Sequence, residues 1–243
     1  MQLEGKVALV TGSSRSIGKA IAIALAKEGA SLVLAARTAQ GLEATAKAIE
    51  ACGSVAEVVP TDVKIEEQIN DLFARVMERF GRLDILVNNA GIFDGGPIDQ
   101  IATETWDNVI ATNLRAAFLC TREAFRIMKA QGGGRIINIG SISASRVRPH
   151  NAPYSSAKSG LVGLTQTTAL EGREHNITCG ILHSGNVKKD IPPPGTGKRR
   201  PPEPAMSQEE IAAAAVYMAC LPDNVNVLEI IQLHKDQLYL GRG

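Results

Sequence analysis

The sequence predicts an α/β fold: a doubly wound parallel sheet of about seven strands with helices on both faces. Three observations predict it. Short apolar runs alternate with longer amphipathic stretches along nearly the whole chain. The runs are β-branched or leucine-rich and lack the strict alternation of a half-exposed strand, as strands covered on both faces do. No shift in composition, internal repeat or long linker divides the 243 residues, so one domain spanning 1–243 is expected.

The first expected strand is Val7–Val10, and it runs into the turn Thr11-Gly12-Ser13-Ser14-Arg15-Ser16-Ile17-Gly18. A glycine-bearing strand-to-helix turn lets backbone N–H groups approach a phosphate, and the helix N-terminus favours its charge. Ile17, Ala20, Ile21, Ala24 and Leu25 form the apolar stripe of the following helix, which Gly29 ends. Leu32–Leu34 reads as the second strand and closes on Ala35-Ala36-Arg37. Leu42, Ala46 and Ile49 mark the next helix, stopped by Gly53. Val55–Val59 is the third strand, followed by Asp62-Val63. Ile69, Leu72, Phe73, Val76 and Phe80 give a third helix ended by Gly81.

Ile85–Val87 is the fourth strand and leads into Asn88-Asn89-Ala90-Gly91. Ile136–Ile139 is the fifth and leads to Ser141, and Ile177–Leu182 is the sixth. The proline-rich stretch Lys188–Pro204 suits neither helix nor central strand. It reads as a loop at the carboxyl end of the sixth strand, and a lid over a pocket is expected around 187–206. Ser207-Gln208-Glu209-Glu210 has the pattern of a capping box opening a helix, and Val227–Ile231 completes the strands.

Composition narrows the function. Net charge is +1 and the apolar fraction 44%, ordinary for a globular protein that buries a full core and unlike one that binds nucleic acid or a membrane surface by bulk charge. Cys52, Cys120, Cys179 and Cys220 are widely spaced, so neither a metal site nor a redox pair is indicated. They read as core fillers in a reducing compartment. The first residues lack the long apolar core of a signal peptide, and a cytoplasmic protein is expected.

The chemistry is concentrated in Tyr154-Ser155-Ser156-Ala157-Lys158. On a helix the i and i+4 side chains share a face, with β-carbons about 6 Å apart. A free tyrosine titrates near pH 10, and a neighbouring ammonium is expected to favour the phenolate and lower that value.

Taken together, the Thr11–Gly18 turn, Asn88-Asn89-Ala90-Gly91, Ser141 and the Tyr154/Lys158 pair resemble the short-chain dehydrogenase/reductase family. The likeness is to its short single-domain branch, which includes 3-oxoacyl-carrier-protein reductases and many alcohol and carbonyl reductases. The resemblance implies a Rossmann-type three-layer sandwich and hydride transfer between a nicotinamide cofactor and a carbonyl or alcohol carbon. It implies Tyr154 as general acid or base, Lys158 on the nicotinamide ribose, and Ser141 on the substrate oxygen. Asn113, in Ala111-Thr112-Asn113-Leu114, matches the asparagine that supports a water relay to the lysine. Gly12, Ser14, Arg15, Ile17 and Gly18 would surround the pyrophosphate and adenosine ribose. Asp62 and Val63 would contact the adenine, Asn89, Ala90 and Gly91 would pass beneath the ribose, and Val187 would lie near the carboxamide. Ser143, Phe93 and His150 are further candidates for the pocket.

Ala36 stands where NAD-selective members place an acid, and Arg37 follows it. With Arg15 nearby, a 2′-phosphate is matched by two guanidinium groups, so NADP(H) is preferred and NAD(H) is the alternative. The chain departs from the family pattern at Ser16, which replaces a glycine, and at Ser184 and Lys189, which replace a proline and a threonine. These changes motivate a second reading, a dinucleotide-binding sensor with little turnover. The family default is a homotetramer, with a dimer second. Lys188, Lys189, Lys198, Arg199 and Arg200 hint at an anionic substrate.

Overall fold

The computed structural model describes residues 1–188 and 203–239. Lys189, Lys198, Arg199 and Arg200, with most of the expected lid, lie outside the described residues. The described chain forms seven strands: β1 (Val7–Thr11), β2 (Ser31–Ala36), β3 (Ala56–Pro60), β4 (Ile85–Asn88), β5 (Gly134–Ser141), β6 (Ile177–Ser184) and β7 (Glu229–Gln232). They pair in the order β3-β2-β1-β4-β5-β6-β7, and every pairing is parallel.

Alternate residues of β1 face opposite layers, as the twofold pleat of a strand requires. Ala8 and Val10 pack with Ile21 and Leu25 of α1 (Ser16–Lys27), Leu42 and Ile49 of α2 (Ala39–Glu50), and Ile211, Ala215 and Met218 of α7 (Gln208–Ala219). Val7 and Leu9 pack on the other side with Ile69, Leu72 and Val76 of α3 (Glu66–Phe80) and Leu119, Ala124 and Met128 of α5 (Ala116–Gln131). Leu161 of α6 (Ala152–Gly172) joins Ala117 of α5 and Ile181 of β6 in a smaller cluster on that side. Each fully buried leucine contributes about 1.5–3 kcal/mol, so two cores on one sheet hold its central strands.

The exceptions lie at the edges. β3 is half-buried, and β7 alternates exposed and half-buried positions, so covering on both faces holds only for the inner strands. An edge strand has one neighbour and is reached by fewer helices. The cysteines divide as well. Cys120 and Cys179 are buried, whereas Cys52 is exposed just beyond α2, where its thiol meets the Ala48 carbonyl at 3.3 Å. The expected core role fails for Cys52 because the polypeptide has already left the core when it reaches Gly53.

Two local devices match their sequence cues. Gly81 ends α3 with φ 69°, a left-handed cap that glycine adopts without a β-carbon clash. Ser207 accepts a hydrogen bond from Glu210 N at 3.2 Å while Glu210 Oε2 accepts one from Ser207 N at 2.6 Å, a reciprocal capping box. No helix among the described residues is long and apolar enough to cross a membrane.

The feature that places the site is the reversal of strand order. β1 lies between β2 and β4, and the connections leave it in opposite directions, which opens a crevice at the carboxyl ends of β1 and β4. A buried polar chain fixes the strands beyond it. Asn88 Nδ2 of β4 donates to Asn138 Oδ1 of β5 at 2.9 Å and to Thr121 Oγ1 of α5 at 3.0 Å. Asn138 Nδ2 donates in turn to Thr165 Oγ1 of α6 at 2.9 Å. Asn88 Oδ1 has no hydrogen-bond partner among the described residues, but the paired donors and acceptors favour one geometry, so α6 is registered to the strand ends.

Candidate active site

At the end of β1 the chain turns through Gly12, which has φ 67°. A β-carbon here would come within 2.9 Å of Ala90 Cα, and one at Gly18 would strike the Asn89 amide and the Gly12 carbonyl. Both glycines therefore permit the turn to press against the end of β4. Asn89 completes that junction: its Nδ2 donates to Thr11 O at 2.9 Å and to Gly12 O at 3.2 Å. Thr11 Oγ1 accepts from Asn89 N at 3.0 Å and from Ala90 N at 3.1 Å. The side chain of Asn89 thus braces the turn.

α1 begins beyond the turn with no acidic residue in its first turn and no side-chain cap, so its amide dipole faces the crevice uncompensated. Ser16 enters this helix with φ 52°. This left-handed backbone is one that glycine adopts without a β-carbon penalty and serine does not. Ser16→Gly is expected to stabilise the protein by roughly 0.5–1 kcal/mol, raising Tm by about 1–4 °C. A thermal melt checks this, and a lowered Tm would mean that the serine side chain outweighs the backbone cost.

The crevice is a cleft of about 1140 Å³, lined by the strand ends and the start of α1. It gathers Gly12, Ser14, Arg15, Ile17, Gly18, Arg37, Asp62, Val63, Asn89, Ala90, Gly91, Tyr154 and Lys158. Arg15 and Arg37 are exposed, and neither forms an ion pair among the described residues. Asp62 Oδ1 accepts from Lys64 N at 3.0 Å and its own amide donates to Gln68 Oε1 at 2.7 Å, which fixes the turn after β3.

Val187 does not line the cleft. It packs on the core and bridges to Met206, closing the neck of the 187–206 segment. Ser184, one of the departures from the family pattern, lines the cleft. Thr38, Gln40, Gly41, Asn108 and Thr112 also line it and were not anticipated. Only Gly41 gave a sequence cue: a glycine in the first turn of a helix. Its β-carbon would lie 2.8 Å from Ser14 Cβ, so α2 starts directly against the phosphate turn.

Tyr154 and Lys158 lie one turn apart on α6 at the far end of the cleft. Lys158 is buried, its Nζ donates to the Ile139 carbonyl at 2.6 Å, and it stands 5.7 Å from the centre of the Tyr154 ring. Burial pushes its pKa down to about 8. The half-buried Tyr154 is raised above its ordinary value by burial, and a hydrogen bond with Ser141 offsets part of the rise. The expected lowering by Lys158 is thus not the net result for the protein groups alone. Removing a phenolate from water is the dominant influence, and Ser141, not the Lys158 ammonium, supplies the opposing one. Phe93 leans on the phenol, with ring centres 5.2 Å apart, and is itself exposed in the cleft.

Ser141 ends β5 beside the phenol. Its Oγ accepts from Ser143 N at 3.1 Å, leaving the hydroxyl proton to be donated. Ser143 and His150 do not line the cleft. His150 is exposed with φ 63°. Asn113 sits in a short π-helical segment, Ala111–Arg115, between α4 (Thr103–Ile110) and α5. Its Oδ1 accepts from Ile92 N at 2.8 Å and its Nδ2 donates to Ile92 O at 2.8 Å. Both ends of the side chain thus hold the loop after β4. A π-turn frees a carbonyl that an α-helix would occupy.

The comparisons with known proteins agree with this geometry. The family model for the short chain dehydrogenases matches residues 6–194. An uncharacterized oxidoreductase of Bacillus subtilis is 41% identical over 186 residues, covering 76% of this chain and 72% of that protein. A 3-oxoacyl-[acyl-carrier-protein] reductase of Synechocystis is 38% identical over 190 residues, 78% of this chain and 77% of its own length. A metagenomic short-chain oxidoreductase solved in complex with NADP superposes with a TM-score of 0.83 at 33% identity, covering 96% of this chain and 98% of that one. With a seven-stranded parallel sheet and a glycine turn opening on a dinucleotide-sized cleft, the chain belongs to the short-chain dehydrogenase/reductase family of oxidoreductases.

Proposed function

We propose that the protein is an NADP(H)-dependent carbonyl reductase or alcohol dehydrogenase of small molecules, with Tyr154 as its general acid and base. One observation carries the proposal: Tyr154 and Lys158 line the same cleft as the glycine turn, and Ser141 at the end of β5 hydrogen-bonds the phenol. The residues fit a dinucleotide. Gly12 and Gly18 let the turn close tightly against the end of β4 beside the cleft, and the amides opening α1 carry no competing acid. Gly12, Ser14, Ile17 and Gly18 would hold the pyrophosphate, Asp62 and Val63 the adenine, and Asn89, Ala90 and Gly91 the ribose.

When bound, the reduced nicotinamide supplies the hydride that the carbonyl carbon accepts. Tyr154 gives its phenolic proton to the developing alkoxide, and Ser141 donates a hydrogen bond to the same oxygen. The burial that raises the Tyr154 pKa keeps the phenol protonated near neutral pH, the form that reduction consumes. Lys158 steadies the phenolate left behind, and the π-helical segment at Asn113 supports the path that restores its proton. Arg37 at the end of β2, with Arg15 across the turn, supports NADP(H) over NAD(H), because two guanidinium groups can pair with a 2′-phosphate. On the same footing we propose a cytoplasmic homotetramer of single-domain chains.

The test is absorbance at the nicotinamide band with NADPH and NADH against a panel of ketones, aldehydes and alcohols, including matched neutral and carboxylated ketones. Turnover with NADPH preferred is expected, and Arg37→Asp should lower the NADPH:NADH ratio of kcat/KM by about tenfold or more. Binding of NADPH without turnover in either direction across the panel would replace this reading with that of a sensor.

A further inference from the structure

The reaction proposed above assigns no role to His183, a buried titratable side chain of β6, 2% exposed. Its ring lies against Gly140 of β5, where a β-carbon would come within 2.6 Å of Nδ1. That close approach puts Nδ1 2.8 Å from the Ser141 carbonyl oxygen and 3.2 Å from the Ser141 amide nitrogen. Nδ1 can donate to that carbonyl or accept from that amide; the carbonyl contact is the shorter, and at 2.8 Å a bare ring nitrogen would oppose two lone pairs, which favours the proton on Nδ1 against the pull of the Ser141 amide at 3.2 Å and of the Glu229 carboxylate 3.4 Å from Nε2. Nε2 then keeps its lone pair and has no hydrogen-bond partner among the described residues. Two charged groups act on the ring: Glu229 of β7, whose Oε1 is 3.4 Å from Nε2, and Lys158 of α6. Burial, the largest influence, pushes the imidazole pKa down, so the neutral ring prevails near neutral pH.

We propose that His183 is a positioning residue for Ser141: its Nδ1–H, donated to the Ser141 carbonyl, fixes the peptide from which the serine hydroxyl meets the phenol and the substrate oxygen. Ser141 is then held at two points, by His183 through its carbonyl and by Ser143 N through its Oγ at 3.1 Å. The hydroxyl is left one direction in which to donate. This role rests on the place given to Ser141 in the proposed reaction. A displacement on the scale of an ångström at such a group is enough to lower turnover substantially.

The experiment compares wild type, His183→Asn and His183→Leu in turnover, cofactor binding and imidazole nitrogen-15 spectra. The asparagine amide can donate close to where Nδ1 lies, and leucine cannot. The expected result is a kcat within a few-fold of wild type for Asn and roughly 10²-fold lower for Leu. NADPH Kd should be unchanged in both, and wild type should show the Nδ1–H tautomer. Equal kcat in wild type and His183→Leu, or equal losses in the two variants, would overturn the inference while leaving the reaction standing. If His183→Leu fails to fold, the tautomer and His183→Asn decide: an Nε2–H tautomer or a 10²-fold loss in Asn overturns it. A wild type inert across the panel would instead overturn the reaction, and this role with it.

Discussion

Tyr154→Phe is expected to lower kcat by roughly 10²–10⁴-fold, the range a positioned acid or base contributes, while NADPH Kd stays within about twofold. The substitution removes one oxygen. It keeps the ring, so the contact with Phe93 at 5.2 Å is retained and the fold is undisturbed. What disappears is the proton bound for the substrate oxygen and the hydrogen bond with Ser141. Steady-state kinetics with the best substrate of the panel, together with a fluorescence titration of NADPH, separates the two effects. Full activity in the variant would remove Tyr154 from the chemistry. Loss of cofactor binding in step with activity would mark a structural residue.

Lys158→Met is expected to abolish turnover and yet stabilise the protein. The Lys158 ammonium is buried, pairs with no carboxylate among the described residues, and makes one hydrogen bond, to Ile139 O at 2.6 Å. A buried charge without a counter-charge destabilises the fold, which is why its pKa falls from 10.5 to about 8. The native state binds fewer protons than the unfolded chain between those values, so wild-type stability rises with pH across that window. Below about pH 8 the cost of the cation is fully present, and there the methionine variant should be more stable by roughly 1–2 kcal/mol, after allowing for the orphaned carbonyl. The advantage should shrink as pH rises toward 10.5. Denaturant melts at pH 7 and pH 10 check the sign. A variant less stable than wild type at pH 7 would show that Lys158 is retained for the fold. A more stable but inactive one identifies a charge retained for chemistry at the expense of stability, as functional sites commonly do.

The local devices were legible because they depend on neighbours in sequence. The apolar runs at Val7–Val10 and Ile85–Val87, the cap at Gly81 and the box at Ser207 and Glu210 each rest on short-range sterics or hydrogen bonds. The helix from Ala152 to Gly172 was legible only as the carrier of Tyr154 and Lys158. It buries residues against two strands and a neighbouring helix, and its apolar positions make no single stripe. Thr38, Gln40, Asn108 and Thr112 reach the cleft from loops and helices whose sequence gives no sign of it.

His183 shows the same limit from the other side. As a sequence it is a histidine in an apolar run, and only the pairing Gly140↔His183 puts its ring on Ser141.

The sequence by itself determined the order of strands and helices, the glycine turn and the i, i+4 spacing of phenol and ammonium, because those follow from backbone sterics and helical periodicity. Tertiary structure alone decided which strands became edges, that Ser16 takes a left-handed backbone, that Val187 turns away from the cleft, and that burial raises the Tyr154 pKa where proximity to a cation suggested lowering it. Desolvation and close packing are summed over groups distant in the chain, and no local pattern of residues contains that sum.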